Sequence, residues 1–393
     1  MSSSNAQSLV LGNVRLGADQ PPQEIFIEDG VISSIGRNTN AAHRVDGNGG
    51  LVIPALVDSH AHLDTTLWGT AWRPHTGKPG DIRLMIENER KNRRTLEPVA
   101  VRIARLVKAY EDSGTLHVRS HVQIDPEVGL THLEGIISAV EGSSLTVEIV
   151  AFPQMGVLSE PGTEKLLEEA VNHGANRVGG IDPAGWDRDP VRHIDIVFGI
   201  ADRTGCGVDI HLHDGGDLGA FEVSLIIERT RSLGMEGRVT ISHCFCLAEV
   251  TDALQGRLIS RMADAGVSLT TVAPGNRVPL PLRRLAEHGV AVGLGHDGTR
   301  DLWWPYGNGD LLERAMLLAY RSGFRTDEDL ELAFNVATHG GARVLNLEGY
   351  GVMVGARADL VVVPASLPVE AVVGHPPRSV VISRGRLVRG TLA

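Results

Sequence analysis

Cysteine and lysine are both scarce in this 393-residue chain, and each shortage removes options. The three cysteines, Cys206, Cys244 and Cys246, are too few and too irregularly spaced for a disulfide framework. The Cys244/Cys246 pair also lacks the second pair that a structural zinc site needs, so all three are read as reduced packing residues. Of the 37 basic residues only Lys78, Lys91, Lys108 and Lys165 are lysines, and the basic residues form no run. With a formal net charge of −11, the chain has no electrostatic footprint for a nucleic-acid partner. Long apolar runs are missing as well. The opening "MSSSNAQSLVLGNVRLG" has no basic start leading into an apolar stretch, and nowhere do about 18 apolar residues follow one another. No membrane association is expected, and a cytoplasmic location is.

What is present is an ordinary globular composition, 42% hydrophobic and 22% charged. The length exceeds one small domain at about 150 residues each, although an α/β barrel uses some 250 in one. Short β-type runs open the chain ("SLVLGNVRL", "QEIFIEDG", "VISSIG") with Asp-Gly as a hairpin signal, and the same style returns at the end in "ADLVVVPA", "SVVISRG" and "RLVRGTLA". A discontinuous β domain built from residues 1–52 and 345–393 is the economical reading, a small β-sandwich formed by both termini.

Between the termini, eight apolar, β-branched runs alternate with helical periodicity: "GLVIPALVDSHAHL", "TLHVRSHVQI", "LTVEIVAFPQ", "NRVGGIDP", "GCGVDIHLH", "GRVTISHC", "GVSLTTVAP" and "GVAVGLGHD". Strand alternating with helix eight times predicts an α/β fold, a (β/α)8 TIM barrel over residues 53–344. Polar residues with ligand or catalytic potential close these runs: His60 and His62, His121, Gln154, Asp182, His211 and His213, His243, and Asp297. In such a barrel the C-terminal strand ends form one face, so residues far apart in sequence converge on one pocket.

The H-x-H pair His60 and His62 lies on one side of its strand, because alternate residues share a face. His211 and Asp297, from the fifth and eighth runs, complete a set of nitrogen and oxygen ligands for one divalent ion. Such an ion lowers the pKa of its water and supplies hydroxide at neutral pH. His213, two residues beyond His211, is the rival ligand if the strand continues.

These motifs resemble the amidohydrolase superfamily, and within it the cytosine deaminase-like subgroup with its triazine-hydrolase relatives. The likeness is carried by "HAHLDTT", "VRSHVQI", "VAFPQMGVLS", "GRVTISH", "GHDG" followed by "WWPYGNGDLLERA", and "THGGARVLNLEGYGVMVGARADLVVVPA", which span almost the whole chain. The resemblance implies the barrel with its two-ended β domain and a hydrolase acting on carbon–nitrogen bonds. It also implies ligation by His60, His62, His211 and Asp297. The bridging lysine that many members carry after strand four is missing from "NRVGGIDP", which implies a single metal: zinc or iron, with manganese also suited to these ligands. His243 is implied beside the metal water and Asp297 as acceptor of that water's proton. Gln154 and Trp303 are implied as substrate contacts, and the spacing favours His211 over His213 as ligand, leaving His213 to line the pocket with His121. Asp182, Trp186 and Arg300 are further pocket candidates.

Two departures weaken a strict cytosine assignment. The glutamate expected three residues after the strand-five histidine is Asp214, one methylene shorter, and the second aspartate of the family's "HDD" is Gly298. Asp214 is expected to act as general acid. The long segment after the first strand, "TTLWGTAWRPHTGKPGDIRLMIENERKNRR", suits a pocket wall, a lid or a subunit contact in a homo-oligomer. The expected activity is hydrolysis of a C–N bond in a small heterocyclic substrate, first of all deamination of a cytosine-like amine. Cyclic amide ring opening or N-alkylamine hydrolysis is the alternative, and a non-catalytic barrel is the remote one.

Overall fold

The computed structural model describes residues 8–18, 20–36, 43–75 and 82–392; Lys78 and the middle of the segment after the first barrel strand lie outside these. β1 (Ser8–Val14), β2 (Gln23–Glu28), β3 (Val31–Gly36) and β4 (His43–Asp46) form one sheet in the order β3-β2-β1-β4, antiparallel except for the parallel β1–β4 pair. β5 (Leu51–Pro54) leaves that sheet and starts another. One residue later, at Leu56, the chain enters the barrel.

The apolar run "GLVIPALVDSHAHL" therefore splits at Ala55 into two strands of different sheets. Because every residue of β5 and β6 (Leu56–His62) is buried, hydrophobicity carries no mark of the change. β6 is followed by β7 (Thr115–Gln123), β8 (Thr146–Phe152), β9 (Arg177–Ile181), β10 (Gly207–Leu212), β11 (Val239–His243), β12 (Ser268–Thr271) and β13 (Val292–Leu294), each parallel to the last. Leu294 pairs with Asp58 of β6 and closes the ring, and the short β14 (Asp297–Gly298) continues the eighth strand beside Ala61 and His62. All eight barrel runs of the sequence are strands, joined by helices. The helix Pro190–Thr204 shows how the termini are set: Asp189 accepts the Arg192 N–H at 3.1 Å, Pro190 occupies the first turn, and Gly205 takes the left-handed conformation at the end.

After the barrel, β15 (Leu360–Val363), β16 (Val380–Ser383) and β17 (Arg386–Arg389) pair antiparallel in the order β17-β16-β15-β5. Leu9, Leu11, Ile25 and Ile32 of the first sheet and Val52, Leu360, Val380 and Ile382 of the second share one apolar cluster. The two chain ends thus build one small core beside the barrel.

The barrel interior is not purely apolar. Arg119 of β7, fully buried, donates Nε to Glu148 Oε2 at 2.6 Å, Nη1 to Asp209 Oδ2 at 2.8 Å and Thr240 Oγ1 at 2.9 Å, and Nη2 to the Val344 carbonyl at 2.8 Å. A buried ion is tolerated only when its charge and hydrogen bonds are met, and here they are. Removing one partner strands the other. Arg119→Ala is expected to destabilise the protein by about 3–5 kcal/mol, since it leaves the Asp209 carboxylate buried without its counter-charge; urea unfolding checks this, and a loss below about 1 kcal/mol would refute it.

Candidate metal centre and active site

Alternation along β6 sends His60 and His62 to the inner side, and parallel register brings the end of β10 and the bend before β14 alongside. His62 Nε2 lies 3.2 Å from His211 Nε2 and 3.3 Å from Asp297 Oδ1, and His60 Nε2 lies 3.6 Å from the same carboxylate oxygen. Ligands held about 2.0–2.1 Å from one tetrahedral ion stand about 3.3–3.4 Å apart, so these separations suit a single shared cation. Two triples of donor atoms, His60/His62/Asp297 and His60/His211/His243, each fall within 4.8 Å of one another.

The hydrogen bonding of these rings fits a cation too. His60 Nε2, His211 Nδ1 and both His243 nitrogens are buried without a hydrogen-bond partner, a costly arrangement for so many polar atoms. Burial and the neighbouring imidazoles hold His211 and His243 well below the usual histidine range, so both are neutral rings with a lone pair to give. Burial works to raise the Asp297 carboxyl, but the imidazoles of His60, His62 and His243 around it outweigh this and leave it well below the carboxylate range. Asp297 (φ 65°), His243 (φ 68°) and Asp182 (φ 35°) all sit in the left-handed region, which L-residues adopt at a cost and which clusters at functional sites.

The other expected residues divide into two groups. His243 stands over the ligands, its ring 4.7 Å from His60 and 5.1 Å from His211. His213 does not join the ligands. Its ring lies 4.3 Å from His243, its Nδ1 is 2.9 Å from Asp182 Oδ2, and Asp182 Oδ1 accepts its backbone N–H at 2.5 Å. Burial lowers the His213 pKa, but the Asp182 charge and hydrogen bond more than offset this and raise it. Gln154 follows β8 and is buried, two residues after Phe152, whose ring stacks on His211 at 4.2 Å.

Trp303 donates Nε1 to Glu89 Oε2 at 2.6 Å. Glu89 belongs to the helix Ile82–Arg93 of the long segment, and Arg90 of that helix pairs with Glu160 at 2.7 Å. The described part of the segment is therefore pinned over the strand ends as a wall. Trp186 donates Nε1 to the Met155 carbonyl at 2.5 Å, and the Arg300 guanidinium lies 4.6 Å over the Trp68 ring.

Two residues lie elsewhere than expected. His121 is fully buried with its ring 4.2 Å from His60 and 4.5 Å from His211, sealed beneath the ligands rather than open to a substrate. Asp214 turns its carboxylate to the loop after β9, where Oδ2 accepts the Gly185 N–H at 2.7 Å; a Cβ on Gly185 would stand 2.2 Å from Asp214 Oδ1. Beside it the buried Glu222 takes the Ala184 N–H at 2.7 Å. Burial and the neighbouring Asp214 charge push the Glu222 carboxyl up to about 9, so it stays protonated. The shorter side chain of Asp214 thus fastens a loop.

Glu222 was not singled out in the sequence, although it had a signal. It shares the stripe Gly219, Val223, Ile226, Ile227, Thr230 on the buried side of its helix, an acid where an apolar residue is the rule. Gly298 has its own structural meaning. A Cβ there would lie 2.1 Å from Asp301 Oδ2, so Asp301 fills the space that a side chain at 298 would need. Asp301 accepts from Trp303 and Trp304 N–H at 2.8 and 2.7 Å and from Thr65 Oγ1 at 2.9 Å, and burial pushes it up to about 6.

Because Glu222 is held protonated in the fold but ionises near 4.5 when unfolded, the folded state binds the extra proton between those values and loses stability as pH rises from about 5 to 9. Glu222→Gln is expected to remove that part of the slope and to equal or exceed the wild type at pH 9; urea unfolding at pH 5, 7 and 9 measures it, and parallel slopes would contradict it.

Comparison with known proteins gives a consistent picture. The family model described as "Amidohydrolase family" matches residues 92–389. The chain is 31% identical over 351 residues to the N-isopropylammelide isopropyl amidohydrolase of Pseudomonas sp. (strain ADP), covering 88% of this chain and 87% of that protein. Among solved structures, N-isopropylammelide isopropylaminohydrolase from Burkholderia multivorans ATCC 17616 superposes with a TM-score of 0.93 at 42% identity, covering 98% of both chains. The 5-methylcytosine deaminase from Klebsiella pneumoniae liganded with 5-fluorocytosine gives 0.86 at 26%, with 97% of each covered.

Proposed function

Because the chain belongs to the amidohydrolase family, we propose that it is a metal-dependent hydrolase that removes an exocyclic amine from a small nitrogen heterocycle. The observation that carries this reading is the convergence of His60, His62, His211 and Asp297, with His243 above them, at the mouth of the barrel. These four residues would hold one divalent ion, zinc or iron, with manganese also compatible. When bound, such an ion activates water and polarises the carbon under attack.

The chain's own groups supply the remaining chemistry. Asp297 turns Oδ1 to the two histidines, and its Oδ2 accepts the proton of the attacking water. His243 Nε2 stabilises the charge that develops on the ring as the carbon becomes tetrahedral. His213, whose pKa Asp182 raises and whose ring lies beside that of His243, delivers a proton to the departing nitrogen; this role falls to it because Asp214 is committed to the Gly185 N–H. Asp301 takes the place that a side chain at Gly298 would have and, by holding the backbone of Trp303 and Trp304, sets the edge against which the ring is read. Trp303, half-buried after β14, gives that ring an apolar wall.

A substituted amine as leaving group is the second reading, favoured by the 42% identity to an isopropylaminohydrolase. A panel of pyrimidines, pterins, triazines and cyclic amides, offered to metal-loaded protein, separates ammonia release, alkylamine release and ring opening; a metal-replete protein inert on all four classes would sink the proposal. With the substrate so found, His211→Ala is expected to lose both metal and turnover. His213→Ala and Asp182→Asn should keep the metal and lose about 10²–10⁴-fold in kcat, while Asp214→Asn stays within about tenfold. Full activity in His213→Ala would return the proton to another group. Asp301→Asn should raise KM about tenfold or more at unchanged metal content, and an unaltered KM would remove Asp301 from recognition.

A further inference from the structure

Beneath the metal-binding residues runs a chain of buried side chains that none of the roles above uses. His60 Nδ1 lies 2.9 Å from Ser242 Oγ, Ser242 Oγ donates to Asp209 Oδ1 at 2.6 Å, and the other oxygen of Asp209 accepts from Arg119 Nη1 at 2.8 Å. Thr270 Oγ1 donates to the same serine oxygen at 2.9 Å. All five side chains are buried.

Proton counting fixes the direction of this chain. A serine hydroxyl has one hydrogen and two lone pairs. The hydrogen goes to Asp209, which has only acceptor oxygens while paired with Arg119, and one lone pair goes to Thr270. The second lone pair faces His60 Nδ1 at 2.9 Å, and Thr270 Oγ1, 3.5 Å from the same nitrogen, gives its hydrogen to the nearer serine oxygen, so Nδ1 is the nitrogen that carries the hydrogen. A neutral His60 then has its lone pair on Nε2, the atom turned toward Asp297 and left without a hydrogen-bond partner.

We infer that Ser242, Asp209 and Arg119 are positioning residues that lock His60 in the Nδ1–H tautomer, and so hold Nε2 ready as a metal ligand. The inference rests on the reading of His60 as a ligand. A hydrogen-bond partner behind a ligating imidazole typically sets metal affinity by about 10–100-fold. The same chain explains why a charged arginine is buried in the barrel: its charge keeps Asp209 an acceptor, and that in turn orients the serine.

The test measures zinc affinity by competition with a chromophoric chelator at fixed pH, on the full-length protein and its variants, with circular dichroism of each metal-free form. Ser242→Ala is expected to bind zinc about 10–100-fold more weakly at an unchanged circular dichroism spectrum, and Ser242→Thr, which keeps the hydroxyl, to stay within about threefold of wild type. His60→Ala should bind more weakly than either. Wild-type affinity in Ser242→Ala beside a weakened His60→Ala would overturn the positioning role alone. Wild-type affinity in His60→Ala would overturn the ligand reading and this inference with it. The ring nitrogen shifts of ¹⁵N-histidine-labelled, metal-free wild type give a readout that needs no variant to fold: a hydrogen on Nδ1 of His60, assigned by comparison with His60→Ala or by through-bond connectivity, supports the inference, and a hydrogen on Nε2 overturns it.

Discussion

The ion pair between Arg119 and Asp209, sealed inside the barrel, is the constraint on which the mouth of the barrel depends. An arginine at that depth is a liability unless every donor is used, and here carboxylates, a threonine and a backbone carbonyl use them. Through Asp209 and Ser242 its charge reaches His60. Above that layer the imidazoles gather with lone pairs inward and few hydrogen bonds of their own, an arrangement that a cation relieves and an apolar filling would not. Charge at the base and neutral donors at the top are two halves of one electrostatic design.

Around the rim a different economy holds. Asp182 pairs with His213 and raises its pKa, while the protonated Glu222 and Asp214 each take a backbone N–H of the loop that follows Asp182. Carboxyl groups near one another are thus driven to opposite protonation states, Asp182 ionised beside His213 and Glu222 protonated beside Asp214, by burial and by neighbours. Asp301 follows the same logic in the gap left by Gly298. The polar edge that results is where the choice of substrate is expected to be made.

Much of this was legible in the sequence because periodicity is a strong signal. Eight β-branched runs with polar ends are eight strands, and the two-residue spacing of His60 and His62 places both on the inner side. Residues whose role depends on position along the chain, such as His211 and Asp297, fell where the strand ends put them. What depends on side-chain direction after a strand has ended was not readable. Asp214 and His213 follow the same strand, yet the backbone turn sends one to a loop and the other toward His243. Gly298 read as the loss of an acid, because only three dimensions show Asp301 entering the space. Arg119 and Asp209 stand two residues before His121 and His211 on the inward side of their strands, and Ser242 shares the inward side of its strand with Thr240. Nothing in one strand, however, tells that its inward residue meets those of two others.

The closure of the ring has a consequence for how the molecule is made. β6 carries His60 and His62, but its closing partners come much later in the chain: Asp58 meets His296 across 238 residues, and β5, just upstream, waits for β15 to complete its sheet. Contacts of such long sequence range form slowly, because the loop between them must be closed before any contact rewards it. The nascent chain therefore has no local metal-binding fragment to nucleate on, and the complete ligand set exists only once the last strand has docked beside the first. If His60, His62, His211 and Asp297 hold an ion as proposed, its capture falls at the end of folding, once the eighth strand has docked beside the first.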